Sequence, residues 1–274
     1  MVIDDRENIF TGREPELARR LCDRRNGIGA DGIIFVRKPP EGTDCTAAMD
    51  YYNADGSYAG MCGNGLRCTA LYVSRWLENQ PDSLSICVGG VPHSARLKFV
   101  PGLSGREQAI VVVEIAVPEL DVELIPANVA GPQHIGRPLQ LADNFIAECT
   151  LVSMGNPHCV MWLDDISDEI VAEMGRKIER SPLFPDGVNA GFARMVGNQI
   201  ELRVWERGCG ETMACGSGAC AAVVSAVLTG RVKRSDYTNV RMRGGELYVT
   251  WPSDDAPCYL SGPATIVFEG KIGV

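Results

Sequence analysis

The alternation of apolar and polar positions divides the chain into short segments whose period names most of them. Glu14–Asp23 reads as a short helix, followed by a Gly-rich turn at Asn26–Gly32 and an apolar strand at Ile33–Val36. A second strand, Thr46–Tyr52, runs into Asn53-Ala-Asp-Gly56, a sequence with strong turn chemistry. From Gly63–Gly65 a helix continues through Leu66–Leu77, because Leu66, Ala70, Val73 and Leu77 recur at helical spacing. Leu84–Val88 and Ala109–Val117 read as strands, and the Pro- and Gly-rich stretch Pro118–Pro138 marks a boundary. Beyond it come strand Cys149–Ser153, turn Met154–Pro157, strand Cys159–Leu163, helix Ser167–Arg180 and strands Ala190–Val196 and Gln199–Glu206. A further helix starts after Cys215 and runs through Ala219–Leu228, and a final strand is expected at Thr265–Glu269. Many strands and few helices predict an α+β protein of two similar lobes.

Composition changes this picture little. With 274 residues, 45% hydrophobic and 22% charged, the chain has the make-up of an ordinary globular protein able to bury one large or two medium cores. A net charge of −9 argues against nucleic acid or an anionic membrane as partner, since the field repels polyanions. No apolar run is long enough for a transmembrane helix. The opening MVIDDRENIF has no basic segment leading into an apolar core, so export is not expected and a cytoplasmic location is. Eleven cysteines spread along such a chain read as reduced thiols, most of them small buried apolar residues.

Two cysteines stand apart. Cys62-Gly-Asn-Gly-Leu-Arg-Cys68 and Cys215-Gly-Ser-Gly-Ala-Cys220 each place a cysteine before a Gly-x-Gly turn that opens a helix, 153 residues apart. One device repeated at half-chain spacing is what a duplicated lobe leaves behind. The first amides of a helix lack intrahelical partners and carry the positive end of its dipole. Glycines let a carboxylate or phosphate approach those amides closely, and a cysteine there is expected to have its pKa lowered toward neutral. Two such helix starts facing each other would grip one α-carboxylate and set a sulfur on either side of the adjacent carbon, one removing a proton and the other returning one. Alternatives stay open at this level. Both cysteines could be plain buried residues at helix starts. A structural zinc site would want Cys-x₂₋₄-Cys pairs; a phosphate loop would want Gly-Lys-Ser/Thr, which follows neither turn; a redox couple would want Cys-x-x-Cys.

Several ordered motifs then carry a resemblance. They are Asp23-Arg-Arg-Asn-Gly-Ile-Gly-Ala-Asp-Gly32, Asn53-Ala-Asp-Gly-Ser57 leading to Met61-Cys-Gly-Asn-Gly65 with Arg67-Cys68, and Met154-Gly-Asn-Pro-His158. Glu206-Arg-Gly208 leading to Gly210-Glu-Thr212 and Ala214-Cys-Gly-Ser-Gly-Ala-Cys-Ala-Ala222 completes the set. Together they resemble, over nearly the whole length, the diaminopimelate epimerases, cofactor-independent enzymes that interconvert LL- and meso-diaminopimelate. The proline racemases share the fold and the two-cysteine logic, but carry His where this chain has Asn64, and rank second. The resemblance implies two pseudo-symmetric lobes, each a mixed sheet wrapped around a central helix. One lobe would span 1–118, with a last strand near 262–274 returning to it, and the other 119–261.

It further implies that Cys62 and Cys215 exchange the roles of base and acid, with no metal and no organic cofactor. Gly63, Asn64, Gly216 and Ser217 would bind the carboxylate of the reacting centre. Asn53, Asn156, Asn189 and Arg207 would hold the distal end of the substrate, Glu206 would meet the reacting ammonium, and His158 would support the pair. The residue types suit these tasks: arginine forks a carboxylate, and asparagine serves ammonium and carboxylate at once. Read alone, each has a structural role instead. Asn53 and Asn156 sit in turns, His158 begins an apolar strand, and Glu206 with Arg207 could form a surface ion pair. Pyridoxal phosphate chemistry would need a Schiff-base lysine, and none of the five lysines lies in or beside these motifs. The expected partner is a small molecule, with monomer or homodimer left open. The family opens with a strand and a Gly-Asn-Asp-Phe segment before the residues matching Val2-Ile3-Asp4, so a late-assigned start is expected here. The alternative, a real loss of that segment, would leave an amino-acid-binding protein without activity. The family also often has Gln where this chain has Gly32.

Overall fold

The computed structural model describes residues 1–77, 81–101 and 107–273 and divides them into two compact units, Met1–Glu114 with Ser261 onward, and Ile115–Leu260. In the first unit the elements run β1 (Val2–Asp4), α1 (Glu14–Cys22), β2 (Gly32–Arg37), β3 (Ala47–Asn53), β4 (Tyr58–Ala59), α2 (Gly63–Ser74), β5 (Ser83–Val88), β6 (Val91–Pro101) and β7 (Glu107–Glu114). β1 lies parallel to β2, β2 antiparallel to β3, and β3 parallel to β5 with α2 as the crossover, after which β5, β6 and β7 form an antiparallel run.

The second unit repeats that order. Two added strands, β8 (Arg137–Ala142) and β9 (Phe145–Ser153), precede β10 (Pro157–Trp162), α3 (Asp168–Glu179), β11 (Asn189–Val196) and β12 (Gln199–Glu206). Then come β13 (Gly210–Thr212), α4 (Gly216–Leu228), β14 (Thr238–Met242) and β15 (Gly245–Thr250); the last strand, β16 (Tyr259–Thr265), belongs from Ser261 onward to the first unit. β10 lies parallel to β11, β11 antiparallel to β12, and β12 parallel to β14 across α4, with β14 and β15 antiparallel. Each pairing from β1 to β6 therefore has a counterpart from β10 to β15.

The two kinds of helix explain the layering. α1 and α3 are amphipathic, with Leu17, Ala18 and Leu21, and Val171 and Ile178, turned into the core. α4 is apolar all round, burying Ala219, Cys220, Ala221, Ala222, Val223, Val224 and Ala226, and it packs against β9, β10, β11, β12, β14 and β15. α2 packs likewise on β1, β2, β3, β5, β6 and β7. A helix enclosed by one curved sheet has its polar start as the part suited to meet a ligand. None of the described helices is long and apolar enough to cross a membrane.

The sequence misplaced one strand. The expected Thr265–Glu269 segment shares only Thr265 with β16, and beyond it Ile266 donates its amide to Glu107 O. Val267 and Phe268 are 58% and 71% exposed, so that apolar run is not a core strand. The helix expected through Leu77 ends at Ser74, and the strand expected through Val117 ends at Glu114.

Candidate active site

The two cysteine turns have matching geometry. Cys62 is the N-cap of α2 in extended conformation (φ −142°, ψ 101°), and its Sγ accepts the amide of Gly65 at 3.3 Å. Cys215 is the N-cap of α4 (φ −130°, ψ 110°), and its Sγ accepts the amide of Gly218 at 3.3 Å. Sulfur here takes the part that a serine or aspartate oxygen plays in an ordinary N-cap. At the third residue of each turn a side chain would be crowded. A Cβ on Gly65 would stand 3.1 Å from Ile34 Cδ1 and 3.3 Å from the Cys62 sulfur. On Gly218 it would stand 3.0 Å from Val204 Cγ2 and 3.2 Å from the Cys215 sulfur.

Most of the other candidates gather around Cys215 within the second unit. Ser217 Oγ lies 3.5 Å from the Cys215 sulfur and 3.1 Å from Nε2 of buried His158, which also lies 3.1 Å from Asn156 Oδ1. Burial, then the nearby Arg207 charge, lowers the His158 pKa to about 3, so the ring is neutral and Nε2 can carry a proton for both oxygens. Its Nδ1 is buried without a hydrogen-bond partner. Glu206, at the end of β12, accepts a short hydrogen bond from the Thr212 hydroxyl. Asn189 is spent on the backbone: Nδ2 donates to Pro157 O at 3.0 Å and Oδ1 accepts from the Arg207 amide at 2.9 Å. Arg207 itself donates from Nη1 to Asp186 O at 2.9 Å.

In the first unit, Gly63 is buried behind Cys62, and Asn64 has its Oδ1 buried without a partner. Asn53 closes its turn, with Nδ2 donating to Ser57 Oγ at 3.0 Å. At the matching position of the second turn, Gly216 is buried. Two concavities of about 510 and 310 Å³, at Arg37 and at Arg203, include none of these residues. Among the described residues no group of three or more His, Cys, Asp or Glu is arranged to hold a metal ion.

One expectation is overturned. Cys215 does not have a lowered pKa: burial pushes its thiol far up, and the Glu206 carboxylate pushes it further, against the smaller help of Ser217 and the Gly218 amide. Desolvation outweighs the helix start here. The thiol that is pulled down, to about 6, is Cys149, hydrogen-bonded by Cys159 against the cost of burial and assisted by His134. It is fully buried in the core of the second unit, which leaves it no access to substrate. Thr212 is a site residue that the sequence pattern does not single out. It stands in the quoted Gly210-Glu-Thr212 motif, but its contact with Glu206 depends on β13 folding back on β12.

The family model described as diaminopimelate epimerase matches residues 1–90 and 150–267. A protein of Synechocystis named diaminopimelate epimerase is 39% identical over 274 residues, covering 99% of this chain and 94% of its own. A namesake from Nostoc punctiforme is 40% identical over 279 residues, covering 99% and 95%. Among solved structures, a hydroxyproline epimerase from Agrobacterium vitis, with trans-4-hydroxy-L-proline bound, aligns with a TM-score of 0.65. It covers 93% of this chain and 78% of its own at 14% identity, a likeness of fold alone.

Proposed function

The chain belongs to the diaminopimelate epimerase family, and we propose that it interconverts LL- and meso-2,6-diaminopimelate by passing protons through Cys62 and Cys215. It is an isomerase acting on a small amino acid, in lysine and peptidoglycan-precursor biosynthesis. The observation that carries the two-cysteine assignment is the matching N-cap geometry of the two sulfurs.

An α-proton next to an amino-acid carboxylate is very weakly acidic, and a thiolate is a modest base. The residues must therefore stabilise the carbanion as it forms. Amides at Gly63, Asn64, Gly216 and Ser217 neutralise the carboxylate, and Glu206 keeps the ammonium charged beside it. Asn53, Asn156 and Arg207 hold the distal centre, with Asn189 aligning the Arg207 backbone. In one direction the Cys62 thiolate takes the α-proton while the Cys215 thiol supplies one to the opposite face; in the other direction the roles exchange.

The raised pKa of Cys215 fits this assignment. Before substrate arrives, burial and the Glu206 charge keep Cys215 protonated, ready to donate. An ammonium beside Glu206 cancels part of that charge and brings the thiolate within reach for the reverse reaction. Substrate thereby helps generate the base that acts on it. Both sulfurs must stay reduced, as a cytoplasmic location provides, and sedimentation of the purified protein distinguishes monomer from homodimer.

The test is turnover of LL-diaminopimelate in heavy water. The expected result is meso product with deuterium at one α-carbon. Exchange confined to proline would replace the substrate assignment, and binding without exchange would reduce the protein to a binder.

A further inference from the structure

We infer that Glu179, at the last turn of α3, is a positioning residue that fixes the backbone carrying Arg207, and through it the enzyme's hold on the distal end of diaminopimelate. The inference rests on the proposed function. Glu179 divides its carboxylate between two donors: Oε2 accepts the indole N–H of Trp205 at 2.8 Å, and Oε1 accepts the amide of Gly208 at 2.7 Å. Between those two residues lie Glu206 and Arg207.

The seat for this clamp is built into α3. Gly175 lies one turn before Glu179 on the same helix face, directly under Trp205, where an added Cβ would come within 2.6 Å of the indole Cγ. Only glycine lets the helix approach closely enough for Glu179 to reach both donors. Arg176 places its guanidinium 5.8 Å from the same ring. From another side, Asn189 Oδ1 takes the Arg207 amide, and the Arg207 stem lies over Gly187. The Arg207–Gly208 backbone is thus held by two side chains from different elements.

Glu206 is held otherwise, by Thr212 and by the β12–β13 ladder, in which Glu206 faces Gly210. Loss of Glu179 should therefore loosen the Arg207 end and leave the reacting end in place. The effect falls on substrate binding, with the proton transfers largely spared.

Steady-state kinetics of Glu179→Ala and the nearly isosteric Glu179→Gln test this, beside wild type on LL-diaminopimelate. The expected result is a KM raised about tenfold in Glu179→Ala and about threefold in Glu179→Gln, which keeps one acceptor oxygen, with kcat within about twofold of wild type in both. An unchanged KM in Glu179→Gln and Glu179→Ala, or a kcat loss without a KM change, overturns the inference. If Glu179→Ala does not fold, Glu179→Gln alone decides on the same criteria. A wild-type protein that does not epimerise diaminopimelate would instead overturn the function on which the inference rests.

Discussion

The Cys62 turn and the Cys215 turn have nearly the same backbone and different surroundings. Each sulfur caps its helix from an extended residue, and each has a glycine three positions on whose Cβ the sulfur would meet. Cys62 is half-buried, whereas Cys215 is 5% exposed and faces Glu206. At the middle of each turn Asn64 keeps a buried carbonyl without a partner, while Ser217 touches both His158 and the Cys215 sulfur. A duplicated backbone thus fixes where each sulfur sits, while the unduplicated surroundings of Cys215, burial and Glu206, hold that thiol protonated. In the proposed two-cysteine reaction this would start Cys215 in its thiol form.

The largest effect tests whether both sulfurs are needed. Cys62→Ala and Cys215→Ala should each lower kcat at least about 10²-fold, the usual scale of a lost general acid or base. Epimerisation measured by product chirality checks this, and near-normal turnover in either variant would reduce that turn to an ordinary helix cap.

The fold around these turns was legible where apolar period and turn chemistry agreed. Gln199–Glu206 was read with its observed limits, and both cysteine helices were placed at their starts because Gly-x-Gly before an apolar helix admits few other readings. Strands β6, β14 and β15 were not read. In β6 the inward positions His93, Ala95 and Leu97 alternate with Ser94, Arg96 and Lys98, and a polar or small inward residue hides the period. β16 contains Gly262 and Pro263, which disfavour a strand on propensity, so the stronger apolar signal lies beyond it in Ile266–Phe268. Within the site, the Gly-x-Gly turn pointed to Cys215, while Glu206 and His158 followed from the family resemblance and not from their own residue types. The sign of the Cys215 shift was out of reach, because a helix start is visible in sequence and burial beside a carboxylate is tertiary.

Glu206→Gln sharpens the comparison at the next scale down. Turnover should fall by about tenfold or more as the substrate ammonium loses its counter-charge. The Cys215 thiol should meanwhile ionise at lower pH, because the second cause of its upward shift is gone while burial remains. The pH dependence of alkylation in a Cys62→Ala background reads that shift directly. A profile that does not move would show that Glu206 does not govern the Cys215 proton.

Ser217→Ala should have the smallest effect and isolates a difference between the turns. Its hydroxyl lies 3.5 Å from the Cys215 sulfur, and that contact favours the thiolate, against burial and Glu206. Neutral His158 can donate from Nε2 to Ser217 Oγ, which leaves the serine proton to point toward sulfur. Removing the hydroxyl takes away one weak donor, so Cys215 should ionise at still higher pH and turnover should fall severalfold, on the scale of a single hydrogen bond to a charged group. The loss should be greater in the direction that uses Cys215 as base, because the thiol form does not need the donor. Equal loss in both directions would place Ser217 with the carboxylate alone, and the two turns would then differ only in burial and in the Glu206 charge.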